Sequence, residues 1–324
     1  MSTFPFLSLP VLASNEILKN LSLEDLIFLS TCSKRAYRSV KMANITLNRL
    51  KLKFDNGPSI LIEYPVQKET NFSFSKWDTD FDPGCSVLIQ LNGVNALWNS
   101  GAFLSFYSGG FWNQHMMLEL VTKYFRDLFK VNKLNVYLRP GIVKDFFLWK
   151  ITKSINKLEI YSPYDSHLRV SEAEMKLVLD GLDVKILKIN ALPISDFSYE
   201  NGLKQEEIHI HNAKWVYLNA LLNSEASRIY LSCSNFSASD LNRFLKNWLA
   251  GIGLENLYHL HIDENYEFQE EVLEDIQTIN WDPRNRPEDF ENNKLGAGRD
   301  FRRADGTWAT VLVDEENFIF HVWK

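Results

Sequence analysis

The sequence predicts an α/β protein: a three-helix head, then a curved, leucine-rich-repeat-like β/α solenoid closing in a C-terminal β-hairpin. Three observations carry that prediction. The opening stretch "FPFLSLPVLASNEILKNLSLEDLIFLSTCSKR", residues 4–35, holds more Leu, Ile and Phe than three short helices can hide. From Leu134 onward, strand-like runs alternate with helical patterns at intervals of about 21–31 residues, the range of leucine-rich-type repeats. Asp305-Gly306, between two short strand-like runs near the end, has the chemistry of a tight antiparallel turn.

Bulk properties bound the rest. The chain has 324 residues, 45% of them apolar, with 22 Phe and a formal net charge of −6. That composition supports a packed core, and the acidic balance argues against a nucleic-acid partner. Cys32, Cys85 and Cys233 are far apart and odd in number, so neither a disulfide framework nor a zinc site is indicated. A reducing compartment, cytoplasmic or nuclear, is the expectation. The opening is not a secretory signal, because it lacks a basic start and is broken by Pro5, Pro10, Asn15, Glu16 and Lys19. No run reaches the roughly 18 apolar residues of a membrane span, so no membrane partner is expected.

In the head, Pro10 suits the first turn of a helix reaching Leu21, because its missing N–H costs nothing there. Ser22, three residues before Asp25, caps a second helix carrying Leu26, Leu29 and Cys32 at helical spacing. Cys32 is expected to pack on that helix's apolar side. Ser33 caps a third, basic helix through Ala36, Tyr37 and Val40.

Beyond the head, Leu50–Phe54, Ser59–Tyr64 and Val87–Leu91 read as strands, with a turn at Asn56-Gly57-Pro58. Asp78, Asp80 and Asp82 mimic a calcium loop, but Pro83 stands where Gly is needed and Ile89 where Glu is needed. The span 111–131 is an amphipathic helix with Leu118, Val121, Phe125 and Leu128 in register. Strands follow at 134–138, 158–161, 184–190, 208–211, 229–232 and 257–262. Helical patterns cover 142–151, a capped segment from Ser171, 215–222 and 241–249, with Gly251 stopping the last. A doubly wound sheet would bring a glycine-rich phosphate loop, and none is present. The sequence also lacks any local catalytic signature, so the expectation is a non-enzyme with no cofactor and no metal.

Alternation assigns the open side of the predicted strands. It collects Tyr137, Tyr161, Lys188, His209, His211, Tyr230, His259 and His261 there, and these are the candidate target-binding residues. One metal ion shared by the four histidines is disfavoured. The strand at Ile229 separates the pairs by about 9–10 Å, too far for bonds near 2 Å.

The head's residues carry a resemblance. Leu9-Pro10, Glu16-Ile17-Leu18, Leu21, Asp25-Leu26, Leu29 and Cys32-Ser33-Lys34-Arg35 resemble the F-box of the nematode-expanded families. The stretches 240–262 ("DLNRFLKNWLAGIGLENLYHLHI"), 281–287 and 298–323 resemble the F-box-associated domain of type two. The resemblance implies a substrate-recognition subunit of an SCF-type cullin-RING ubiquitin ligase. Its head (1–48) would dock on a Skp-type adaptor, and through it a cullin, by way of Leu9, Pro10, Ile17, Leu18, Leu21, Leu26 and Leu29. Residues 49–132 would connect and begin the sheet, and 133–324 would hold a target protein. The rival expectation is a protein-interaction scaffold whose helices cap a solenoid.

Overall fold

The computed structural model describes 6–54, 58–65, 67–76, 86–91, 94–99, 103–108, 114–162, 168–194, 197–263, 269–280, 282, 295 and 298–323. The calcium-like run at 78–89 and the "WDPRNRP" turn lie largely outside these residues. The chain divides into two compact units, Met1–Leu138 with Phe147–Asn156, and Arg139–Phe146 with Lys157–Lys324.

In the first unit the head forms α1 (Val11–Lys19), α2 (Leu23–Cys32) and α3 (Lys34–Met42). The caps are those the sequence spells out. Ser22 Oγ accepts the Asp25 N–H and Ser33 Oγ accepts the Ala36 N–H, satisfying donors that a first helical turn leaves open. Strands β1 (Thr46–Phe54), β2 (Pro58–Tyr64), β3 (Gln67–Lys76), β4 (Ser86–Leu91), β5 (Val94–Asn99) and β6 (Phe103–Ser108) follow. Helix α4 (Gln114–Leu128) then leads into β7 (Lys130–Leu138). The strand order is β7-β1-β2-β3-β6-β5-β4, with β1 antiparallel to β2 and parallel to β7. Leu118, Val121, Phe125 and Leu128 of α4 are all buried.

The second unit contains β8 from Lys157 (the strand is Ser154–Tyr161), α5 (Glu172–Lys176), β9 (Asp183–Asn190), β10 (Glu207–Ile210), α6 (Leu218–Leu222), β11 (Arg228–Ser232) and α7 (Ala238–Leu249). It continues through β12 (His259–Asp263), α8 (Gln269–Val272), β13 (Ile279–Asn280), β14 (Arg299–Arg302), β15 (Trp308–Val313) and β16 (Asn317–Trp323). Its strand order is β8-β9-β10-β11-β12-β16-β15-β14-β13. The pairs β9–β10, β10–β11 and β11–β12 are parallel, whereas β16 joins β12 antiparallel and the remaining strands continue antiparallel. Both units therefore carry mixed sheets with helices. Leu187, Ile189, Ile208, Ile210, Ile229, Leu231, Leu260 and Ile262 are buried as the alternation requires, and so are Leu241, Phe244, Leu245 and Trp248 of α7.

Two local readings are corrected. The span 142–151 is a series of turns followed by a 3-10 turn at Phe147–Lys150, not a helix. Gly141 is left-handed at φ +84°, and the N–H groups of Gly141 and Val143 donate to Glu174 Oε1 at 2.9 and 3.1 Å. Glu174 thus fixes the turn at 141–143. Cys32 is exposed, because it falls on the side of α2 opposite Leu23, Ile27 and Ser30.

Candidate functional site

Two surfaces emerge, one in each unit. On the head, the helical period sorts the apolar residues into two classes. Leu18, Leu23, Leu26 and Ile27 are 0% exposed and hold the bundle together. Two of the expected adaptor contacts, Leu18 and Leu26, are thus interior. Of the others, Pro10 and Ile17 are exposed, and Leu9, Leu21 and Leu29 are half-buried. Residues the sequence reading did not single out are more open: Leu12 is 81% exposed and Phe28 43%, with Val11 and Met42 also exposed. The signal was present in the sequence. Leu12 lies two residues after Pro10 on the side of α1 away from Leu18, and Phe28 follows Ile27 by one 100° step.

The first unit itself braces this bundle. Ser30 Oγ and the Tyr124 hydroxyl of α4 lie 2.5 Å apart in a buried hydrogen bond. Burial pushes the Tyr124 hydroxyl up to about 12. Tyr37 of α3 donates to Asp127, and Lys41 Nζ donates to the same carboxylate at 2.6 Å. The bonds from Lys41 and Tyr37 hold the Asp127 carboxyl below its usual range.

In the second unit, register brings Lys188, His209, Tyr230 and His261 into one row across β9–β12. His209 stacks on Tyr230 with centroids 4.3 Å apart and planes 9° from parallel. Tyr230 also meets His259 and His261, at 5.3 and 6.3 Å. His209 Nε2 is 2.7 Å from Glu207, and His261 Nε2 is 2.9 Å from Asn317. Burial lowers the His209 pKa more than Glu207 raises it. Burial, then His321, His261 and Arg228, push His259 down to about 4. His209 and His259 are thus both biased toward the neutral form, in an aromatic surface that ends at Lys188.

The other expected members stand apart. Tyr137 is on β7 in the first unit, opposite Lys53, whose Nζ lies 5.7 Å from its ring. Tyr161 ends β8, and His211 lies one residue past β10 and is exposed. Strand β11 separates β10 from β12. No group of three or more His, Cys, Asp or Glu able to hold a metal occurs among the described residues. His321, which the sequence reading left out, lies opposite His259 because β16 returns antiparallel beside β12, a pairing no local pattern announces.

Comparison with known proteins adds family information. Residues 6–48 match the model of the F-box domain, and residues 201–262 match the model described as F-box associated. Uncharacterized protein F59B2.9 of Caenorhabditis elegans is 25% identical over 341 residues, covering 99% of this chain and 78% of its own length. Uncharacterized protein F59B2.8 of the same organism is 23% identical, with the same two coverages. E3 ubiquitin-protein ligase hecw-1, also of Caenorhabditis elegans, is 24% identical over 84% of this chain, which spans 24% of that protein. No solved structure matches. No helix among the described residues is long and apolar enough to cross a membrane.

Proposed function

From a chain that carries an F-box domain at 6–48 and an F-box-associated region at 201–262, we propose a substrate-recognition subunit of a cullin-RING ubiquitin ligase. The head docks on a Skp-type adaptor, and the second unit, whose parallel strands we read as a short leucine-rich-like array, holds a target protein. The chain performs no chemistry itself. It keeps the target beside a charged ubiquitin carrier and so raises the effective concentration of the reacting groups. A relative named as an E3 ubiquitin-protein ligase supports the ubiquitin setting.

The observation that carries this reading is the division within α1 and α2. The interior closes with Leu18, Leu23, Leu26 and Ile27, while Leu12, Ile17 and Phe28 remain on the outside. Burying a large aliphatic or aromatic side chain in a partner is worth about 1.5–3 kcal/mol, so a few of them suffice for a stable dock. The proposed adaptor face comprises these three with Leu9, Pro10, Leu21 and Leu29.

The test is capture of a purified Skp-type adaptor by the full chain and by a Leu12→Asp, Phe28→Asp variant. Capture by the parent and its loss in the variant, with an unchanged unfolding temperature, is the expected result. A parent that captures no adaptor, or a variant that captures it equally well, removes the reading.

A further inference from the structure

Loops at the carboxyl ends of β9, β10 and β11 enclose an open cleft of about 560 Å³. In α/β sheets this end is where ligands are received. The wall is aromatic and apolar: Ile194 and Tyr217 stand exposed at the rim, and Phe197 and Trp215 are buried, with ring centroids 5.2 Å apart. Arg169 and Lys214 complete it, and neither forms an ion pair among the described residues. No carboxylate lines the cleft among those residues, although the chain as a whole carries a net charge of −6.

One buried group in the wall lacks a partner. Trp215 is 3% exposed, and its indole N–H has no hydrogen-bond acceptor among the described residues. Buried donors in native proteins are almost always met. The surrounding backbone is already committed, since the Ile194 N–H donates to the Val170 carbonyl and the Tyr199 N–H to the Trp215 carbonyl. Those two N–H groups are therefore not open to an added β-strand.

We propose that this cleft is the target-recognition site, and that its occupant is a protein segment in which a large apolar side chain is followed by a carboxylate. The apolar group packs among Ile194, Phe197 and Tyr217, the carboxylate meets Arg169 and Lys214, and the Trp215 ring beneath them reports the occupancy. The inference rests on the substrate-receptor reading and moves the contact from the open sheet face to the strand ends.

The test follows indole N–H resonances in the ¹⁵N-labelled full chain, with Trp215→Phe assigning the signal. The probe is a synthetic peptide pool in which leucine, isoleucine, phenylalanine or tyrosine precedes aspartate or glutamate. A matched pool carries lysine at the acidic positions. The acidic pool is expected to shift the Trp215 signal saturably, the lysine pool to leave it in place, and an Arg169→Glu, Lys214→Glu variant to weaken binding by about tenfold or more. Absence of a shift at millimolar peptide, or an equal response in the charge-reversed variant, overturns the cleft. Adaptor capture by the same preparation separates the two claims. Capture without a peptide shift overturns the cleft alone, and a shift without capture overturns the ligase reading alone.

Discussion

His259 and His321 oppose each other in the antiparallel β12–β16 pair with their Nδ1 atoms 3.2 Å apart. Burial first, and then the charge that His321, His261 and Arg228 would set beside it, push the His259 pKa down to about 4 in the fold. The unfolded chain protonates the same ring near 6.5. Because the folded value is the lower one, the unfolded state binds the extra proton between these limits. The stabilisation is complete above about pH 6.5 and is lost as pH falls toward 4, on the order of 3 kcal/mol by the end of that window. His209, also lowered, adds a contribution of the same sign. Urea unfolding midpoints measured from pH 7.5 to 4 should fall, and His259→Gln should flatten the curve. Identical pH profiles for the two proteins would refute this account.

Glu174 is 3% exposed and spends its carboxylate on two segments at once. One oxygen accepts the Ser171 N–H and hydroxyl, completing the capping box of α5, and the other accepts the Gly141 and Val143 N–H groups. Glu174→Ala leaves buried donors open, each costing about 1–3 kcal/mol. Ser171→Ala removes only the cap, about 1 kcal/mol. Chemical denaturation should rank Glu174→Ala well below Ser171→Ala. Equal losses would mean that the 141–143 turn does not depend on the carboxylate.

The sorting of the head's leucines makes a separate prediction. Leu26→Ala opens a cavity in a closed interior and should cost about 2–5 kcal/mol. Leu12→Ala, at an exposed position, should stay within about 0.5 kcal/mol of the parent. Thermal melts of both variants decide it, and a large loss at Leu12 would place that side chain inside the fold.

How far these features could be read from the sequence depended on how local they were. Ser22, Ser33 and Ser171 announce their caps within three residues, and the helices start there. The inward Ile and Leu of β9–β12 follow from a period of two, and the structure keeps that period. The 142–151 turns were misread because the acceptor for their N–H groups, Glu174, lies some thirty residues on. The separation of Leu26 from Phe28 follows from the helical period alone, whereas the bond that braces α2, from Ser30 to Tyr124, joins residues nearly a hundred positions apart and no local pattern announces it. The cleft around Trp215 is assembled from segments at 169, 192–194, 197–198, 212–217 and 235, so no single stretch could have revealed it.

The brace between head and α4 has a buried strand and an exposed one, and salt tells them apart. Tyr124→Phe deletes the hydroxyl that meets Ser30, yet Ser30 Oγ keeps its bond to the Ile27 carbonyl, so the loss should be about 1 kcal/mol. Asp127→Asn weakens the pairing with Lys41 and Tyr37 at an exposed site, a contact worth at most about 1 kcal/mol. At low salt the two deficits are therefore similar. Molar salt screens exposed charges almost completely but does not reach a buried hydroxyl. The Asp127→Asn deficit should vanish there while that of Tyr124→Phe persists, as read from urea midpoints at two ionic strengths. If both deficits disappear together, the Tyr124 hydroxyl is acting through solvent-exposed charge and not through its buried bond to Ser30.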